Sequence, residues 1–216
     1  MNPGRILIGH KACFLDAKSN IKSYKLIDLN YNYKDLDGKF LKNNKNQILE
    51  NVWQSSKVYR TSFSCIHKKH GTILWNHPIE NHLNDNNKLT YEYFAWKQKL
   101  MNNKFPIEYP VGISNKNKFE FIMDDNGKIY KGSQGYMEAY KNIYINGYIE
   151  NVNGISRFND LKKEYLNGQN ILILCENLPY YSQYFNSENI FYSSGFCLGM
   201  SLYNSMFDVK KKTNLF

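Results

Sequence analysis

Apolar and polar residues alternate along Phe119-Glu120-Phe121-Ile122-Met123, which is followed by Asp124-Asp125-Asn126-Gly127 and then by Lys128-Ile129-Tyr130. Alternation is typical of a strand with one buried face, and Asn-Gly between two such runs is a strong hairpin signal. The stretch therefore predicts two antiparallel strands over residues 119–130. A type I′ turn should join them, because asparagine and glycine accept the two positive φ angles that this turn needs.

The segments on both sides of this hairpin predict a mixture of strands and helices. Short apolar runs predict strands at residues 5–9, 24–29 and 171–175, and the last is continuously apolar, as in a fully buried strand. Periodic apolar residues predict helices at about 47–59, 90–102, 136–144, 157–167 and 196–207, with Thr90 as the N-cap of the second. We therefore expect one α+β domain over residues 1–209, in which several helices surround a small sheet with the 119–130 hairpin, and a basic tail over 210–216.

The composition excludes several classes of protein. The chain has 216 residues, 42% hydrophobic and 16% aromatic, which is enough apolar surface for a sizeable core and excludes wholesale disorder. No apolar run approaches the ~20 residues that cross a bilayer, and the first apolar stretch is too short for a secretory leader. Four cysteines in a chain of this length do not form a dense disulfide framework. We expect free thiols, an intracellular location and no membrane partner.

The net charge of +9 is the second global feature, and it favours a polyanionic partner such as nucleic acid or a phosphorylated ligand. Nearly all the cations are lysines, and asparagine, isoleucine and tyrosine are also abundant, so part of the charge reflects AT-rich codons. Two alternatives to an enzyme stay open. One is a nucleic-acid-binding protein without catalysis, and the other is a protein–protein interaction or inhibitor module of a virus or another AT-rich genome.

The predicted helix at 47–59 carries the candidate site. Glu50, Trp53 or Gln54, Lys57 and Arg60 recur at spacings of three and four, which places them on one helical face. A carboxylate, a ring and two cations on one face suit a nucleotide, because rings stack on bases and cations bind phosphate. The alternative is an amphipathic helix with Glu50 and Lys57 in solvent and Trp53 in the core.

The stretch Glu50-Asn51-Val52-Trp53-Gln54-Ser55-Ser56-Lys57-Val58-Tyr59 resembles the Glu-His-x-Tyr-Gln-x-x-Lys-Phe signature of the NADAR family. Trp96, followed by Met101, Lys104 and Phe105, is similar to a second helix of that family, so the resemblance covers residues 48–105. The family's C-terminal Asp-x-x-Trp-Gly element has no counterpart in this chain.

NADAR proteins are N-glycosidases that act on riboflavin-pathway intermediates or on ADP-ribosylated substrates. The resemblance implies hydrolysis of an N-glycosidic bond in a nucleotide-like or ADP-ribosylated ligand, without a cofactor. It implies that the catalytic residues are Glu50, Gln54 and Lys57. We expect Trp53 or Trp96 to stack on the base and Arg60 to reach phosphate.

A second candidate is a metal site, because Cys65, His67, His70, His77 and His82 lie within eighteen residues. Zinc accepts cysteine and histidine ligands, but these spacings match no standard zinc pattern, and two lysines lie among them. The sequence therefore favours a basic surface turn with one or two buried histidines, and we predict no metal. Neither a Walker loop nor a Gly-x-Ser-x-Gly nucleophile elbow occurs in the chain.

Overall fold

The computed structural model describes residues 2–10, 23–69, 71–107, 117–175 and 193–213. These residues form a mixed α+β fold with small sheets, which confirms the predicted class. The chain divides into two compact units. The first comprises Met1–Asp37 and Tyr148–Phe216, and the second comprises Gly38–Gly147. The predicted single domain over residues 1–209 stays a prediction.

The strands and helices follow one another in mixed order along the chain. The strands are β1 (Ile6–His10), β2 (Tyr24–Asp28), β3 (Lys57–Val58), β4 (Cys65–Lys69), β5 (Thr72–His77), β6 (Phe121–Met123), β7 (Ile129–Tyr130) and β8 (Asn170–Cys175). The helices are α1 (Leu49–Ser55), α2 (Tyr91–Met101), α3 (Gly132–Ala139), α4 (Asn146–Val152), α5 (Ser156–Leu166) and α6 (Ser194–Thr213). A 3₁₀ turn spans Lys34–Leu36, and a π-helical segment spans Tyr140–Ile145 between α3 and α4.

The first unit is built on a parallel sheet in the order β1-β8-β2. Strand β8 is central, and Ile171, Leu172 and Ile173 are fully buried, as their continuous apolar run predicts. Helix α6 packs against β1 and β8, and α5 packs against α6. The apolar run of β8 therefore forms the core of this unit.

The second unit contains an antiparallel sheet in the order β3-β6-β7 and a separate β4–β5 hairpin. The hairpin predicted at 119–130 is confirmed, since β6 and β7 pair antiparallel. The predicted type I′ turn is wrong, because Gly127 has a positive φ of 81° and Asn126 does not have one. The Asp124 carboxylate accepts hydrogen bonds from the backbone N–H groups of Asn126 and Lys128, which stabilise a type I turn followed by a glycine bulge.

The same loop geometry occurs three times among the described residues of the second unit. We call these segments the Asx loops, and they are Asn43–Gln47, Asn84–Lys88 and Asp124–Lys128. In each loop the first side chain accepts hydrogen bonds from the N–H groups two and four residues later. The fourth position has a positive φ in each loop and is occupied by Asn46, Asn87 and Gly127 respectively. A bridge or strand pair closes each loop.

The prediction of one helix over residues 47–59 is wrong in its second half. Helix α1 ends at Ser55, and Lys57 and Val58 form β3, which pairs with β6. The N–H of Glu120 donates to the carbonyl oxygen of Val58, and backbone pairing with β6 therefore replaces the helical hydrogen bonds. Lys57 and Arg60 do not lie on a helical face with Glu50.

Helix α2 matches its prediction closely. The side chain of Thr90 accepts a hydrogen bond from the N–H of Tyr93, which is an N-cap contact. Tyr93, Trp96 and Leu100 are buried on one face of α2. They join a hydrophobic core with Val58, Tyr59, Leu83, Ile107 and Phe121. Among the residues that the structure describes, no helix is long and apolar enough to span a membrane.

Candidate functional site

Hydrogen bonds connect three of the predicted site residues, Glu50 and Gln54 on α1 and Lys57 just after it. The amide nitrogen of Gln54 donates to Glu50 Oε1 at 2.7 Å, and the ammonium of Lys57 donates to Gln54 Oε1 at 2.8 Å. Glu50 and Gln54 are one turn apart on α1, and Lys57 reaches the same line from β3. The amide of Gln54 therefore connects a carboxylate and an ammonium group, and we call these three residues the Glu-Gln-Lys line.

The environment of Lys57 is unusual for a lysine. Its side chain is only 5% exposed, and its Nζ atom lies 5.0 Å from the ring centre of Trp53 and 6.0 Å from that of Phe119. A lysine is rarely buried without compensation. Here the Gln54 oxygen and the indole ring of Trp53 stabilise the charge, the ring by a cation–π interaction.

Aromatic rings surround Trp53. Tyr136, Tyr140 and Tyr144 contact it edge to face at centroid distances of 5.5, 5.1 and 6.5 Å. The three tyrosines are spaced four residues apart, and Phe119 stacks on Tyr136 at 5.8 Å. Trp53 is 4% exposed, whereas Phe119 and Tyr136 are partly exposed. Of the rings just described, those of Phe119 and Tyr136 are therefore the accessible ones, and the Phe119 ring lies near the Lys57 ammonium.

Arg60, which was predicted to bind phosphate, lies on the surface. Its Nε atom donates to Glu120 Oε1 at 3.2 Å, and its Nη2 atom donates to Asn87 at 2.9 Å. Arg60 is exposed and has these two partners. Its assignment to phosphate stays a prediction.

Asn51, which stands where the NADAR signature has histidine, connects α1 to the chain that follows α2. Its Oδ1 atom accepts from the N–H of Ile107 at 2.7 Å, and its Nδ2 atom donates to the carbonyl oxygen of Phe105 at 2.9 Å. Asn51 is fully buried. These contacts give it a structural role beside Glu50.

Trp96, the other predicted stacking residue, is 2% exposed and packs in a second cluster of rings. Its ring centre lies 4.6 Å from that of His82 and 6.2 Å from that of His77. His77 and His82 are 1% and 0% exposed, so this part of the chain holds two buried histidines, as the sequence favoured. The stacking of Trp96 on a base stays a prediction.

Both buried histidines are neutral at pH 7. Burial lowers the pKa of His82 to about 3, and the neighbouring His77 lowers it further. Burial also lowers the pKa of His77 to about 4, with a contribution from the Lys99 ammonium. Burial raises the pKa of the Glu80 carboxyl, which lies close to both rings.

No family model, curated protein or solved structure matches this chain. The likeness to the NADAR signature therefore stays a resemblance of residues.

The structure tests the prediction of free thiols at only one of the four cysteines, because the other three side chains lie outside the described residues. Cys197 is buried on α6 and does not form a disulfide bond. Cys13 and His70 lie outside the described residues, as do the side chains of Cys65, His67 and Cys175.

Proposed function

We propose that the chain binds a nucleotide-type ligand at the Glu-Gln-Lys line and hydrolyses its N-glycosidic bond. The observation that carries this proposal is the pair of hydrogen bonds from Gln54 to Glu50 and from Lys57 to Gln54. They hold a carboxylate and a cation at a fixed separation, on the positions that match the NADAR signature. The proposal needs no cofactor.

The chemistry requires a carboxylate beside the sugar. When the bond between the anomeric carbon and the base breaks, its electron pair leaves with the base, and the sugar becomes oxocarbenium-like. Glu50 would stabilise this positive charge and accept a proton from the attacking water, whose oxygen bonds to the anomeric carbon. The departing base takes up one proton from solvent, and Glu50 returns to solvent the proton that it accepted from the attacking water, so the step balances. The products are the free sugar and the free base.

Gln54 and Lys57 would orient and support this carboxylate. A hydrogen bond from the Gln54 amide to Oε1 fixes the rotamer of Glu50 and so orients its carboxylate. Lys57 would attract the phosphate of the ligand, because its ammonium is a buried positive charge. The ligand would compete with Gln54 Oε1 for this group.

The aromatic residues would provide the surface for the base. Trp53 is nearly fully buried, so in this arrangement it supports Lys57 and the tyrosines and offers little ring surface to a ligand. Phe119 and Tyr136 are partly exposed, and Phe119 lies 6.0 Å from the Lys57 ammonium. We therefore assign the stacking surface to Phe119 and Tyr136.

The test is a comparison of Glu50→Gln with the wild-type chain on a set of 5′-phosphorylated N-ribosides and ADP-ribosylated peptides. Chromatography measures the released base, and calorimetry measures binding. We expect Glu50→Gln to bind normally and to lower turnover by roughly 10²–10⁴-fold, since an acid–base or electrostatic group contributes about that much. Glu150→Gln, an exposed glutamate on α4, is the matched control and should keep full turnover.

Lys57→Met separates binding from chemistry. Methionine keeps an unbranched apolar stem, ends one heavy atom earlier than lysine and carries no charge, so binding of phosphorylated ligands should weaken more than turnover falls. The proposal is wrong if no ligand of the set binds or reacts, or if Glu50→Gln and Glu150→Gln have equal turnover. Tight DNA binding that weakens steeply with salt would then favour the nucleic-acid alternative.

A further inference from the structure

The segment between β5 and α2 places three metal-ligating side chains together. His77 is the last residue of β5, and Glu80 and His82 follow it with the spacing His-x-x-Glu-x-His. One nitrogen or carboxylate oxygen of each residue lies within 4.8 Å of the others. We propose that His77, Glu80 and His82 bind a divalent transition metal ion such as Zn²⁺ or Co²⁺. This inference is independent of the Glu-Gln-Lys line.

The polar atoms of this cluster are buried and partly without hydrogen bonds. Oε2 of Glu80, Nε2 of His82 and Nε1 of Trp96 make no hydrogen bond to any residue that the structure describes. A buried polar atom without a partner is costly, and most proteins avoid it. His82 is fully buried and its Nδ1 atom already accepts from the N–H of Tyr59, so Nε2 is the nitrogen that is available to a metal ion.

The backbone holds the ligands in place. Ser62 makes two hydrogen bonds to the main chain of Glu80, because its N–H donates to the Glu80 carbonyl and its hydroxyl accepts from the Glu80 N–H. The N–H of Thr90 donates to the carbonyl oxygen of His82 at 3.1 Å. Binding a metal therefore requires movement of the side chains and little movement of the main chain.

The donor set and its distances fit a borderline metal ion. Two imidazoles and one carboxylate bind zinc in many catalytic sites and leave further positions open for water or substrate. Bonds of about 2.0–2.2 Å in tetrahedral geometry place the ligand atoms about 3.3–3.6 Å apart. The ligand atoms, which lie within 4.8 Å of one another, therefore have to approach by up to about 1.5 Å, and the partly exposed Glu80 is the side chain with room to move.

Coordination also requires a change of tautomer at His82. The N–H of Tyr59 donates to His82 Nδ1 at 3.2 Å, so in the metal-free chain the imidazole proton is on Nε2. Binding of the metal through Nε2 moves that proton to Nδ1, and the hydrogen bond from Tyr59 is lost. The loss of such a bond lowers the metal affinity by about tenfold.

Lys99 adds a charge that opposes the metal. Its ammonium donates to the carbonyl oxygen of Asn76, and its charge acts on both His77 and Glu80. The Glu80 carboxylate neutralises one positive charge of the metal ion, whereas the Lys99 ammonium repels the metal ion. The affinity should therefore rise when the charge of Lys99 is removed.

The experiment is a titration of the chelator-treated full-length chain with Co²⁺, whose visible absorption reports its coordination, followed by displacement with Zn²⁺. We expect one equivalent to bind. Glu80→Gln keeps the size of the side chain and should lower the affinity by at least about tenfold. Lys99→Met should raise it. His70→Gln removes a histidine that is not one of the three proposed ligands and should leave the Co²⁺ affinity unchanged.

A second measurement follows the backbone amide of Tyr59 by NMR during the titration with Zn²⁺. Its resonance should shift as the hydrogen bond to His82 breaks. The proposal is wrong if Co²⁺ and Zn²⁺ show no saturable binding at micromolar concentration, if the Tyr59 amide does not move, or if His70→Gln and not Glu80→Gln loses binding.

Discussion

Replacement of Asn51 by alanine should destabilise the chain by an amount that the structure allows us to calculate. Asn51→Ala leaves the buried N–H of Ile107 without an acceptor, which costs about 1–3 kcal/mol. The hydrogen bond to the Phe105 carbonyl is lost as well and contributes about 0.5–1.5 kcal/mol. The expected loss of unfolding free energy is therefore about 1.5–4.5 kcal/mol.

Urea denaturation followed by tryptophan fluorescence measures this loss. With a slope of about 2 kcal/mol per molar urea, the midpoint should fall by about 1–2 M while the slope stays the same. Asn44→Ala, at an exposed position of an Asx loop, is the control and should change the unfolding free energy by no more than about 0.5 kcal/mol. A loss of less than about 1 kcal/mol for Asn51→Ala would refute the assigned role of its two contacts.

Three further variants test other parts of the fold by the same urea assay. Thr90→Ala removes the side chain that accepts from the N–H of Tyr93 and should cost about 1 kcal/mol. At Gly127 there is space for the methyl group of alanine, so only the positive φ opposes Gly127→Ala. This substitution should lower the unfolding free energy by about 1–2 kcal/mol, and a larger loss would show that the methyl group also clashes. Leu172→Ala should lower the unfolding free energy by about 2–5 kcal/mol. Leu7 pairs with Leu172 in the sheet but is 42% exposed, so Leu7→Ala should lower the unfolding free energy by less than half as much.

Much of the fold could be predicted because its strongest signals are local. The apolar run of β8, the N-cap of α2 and the Asn-Gly turn of the 119–130 hairpin each act within a few residues. The end of α1 could not be predicted in this way. The sequence pattern of the helix continues through Lys57 and Val58. These two residues adopt an extended conformation because they pair with β6, which lies more than sixty residues later in the chain.

The candidate site was predictable in part for the same reason. Glu50 and Gln54 meet because they are one turn apart on α1. Lys57 joins them from a strand. The spacing therefore indicated the correct residue, but the helical position that it predicted for Lys57 is wrong. The cluster of His77, Glu80 and His82 was harder to predict. The sequence prediction grouped these histidines with a cysteine and two further histidines nearby, and the combined spacing matches no metal-binding pattern.

The Asx loops have a consequence for the order of folding. Each makes its hydrogen bonds within five residues and brings together the two chain segments that flank it. Loops of this size close on a time scale of about 10–100 ns, far faster than a sheet with distant strands forms. In each case a helix starts within three residues of the closing pair, at Leu49, Tyr91 and Gly132 respectively. We therefore expect the three Asx loops to form early and the pairing of Lys57 with β6 to form after them.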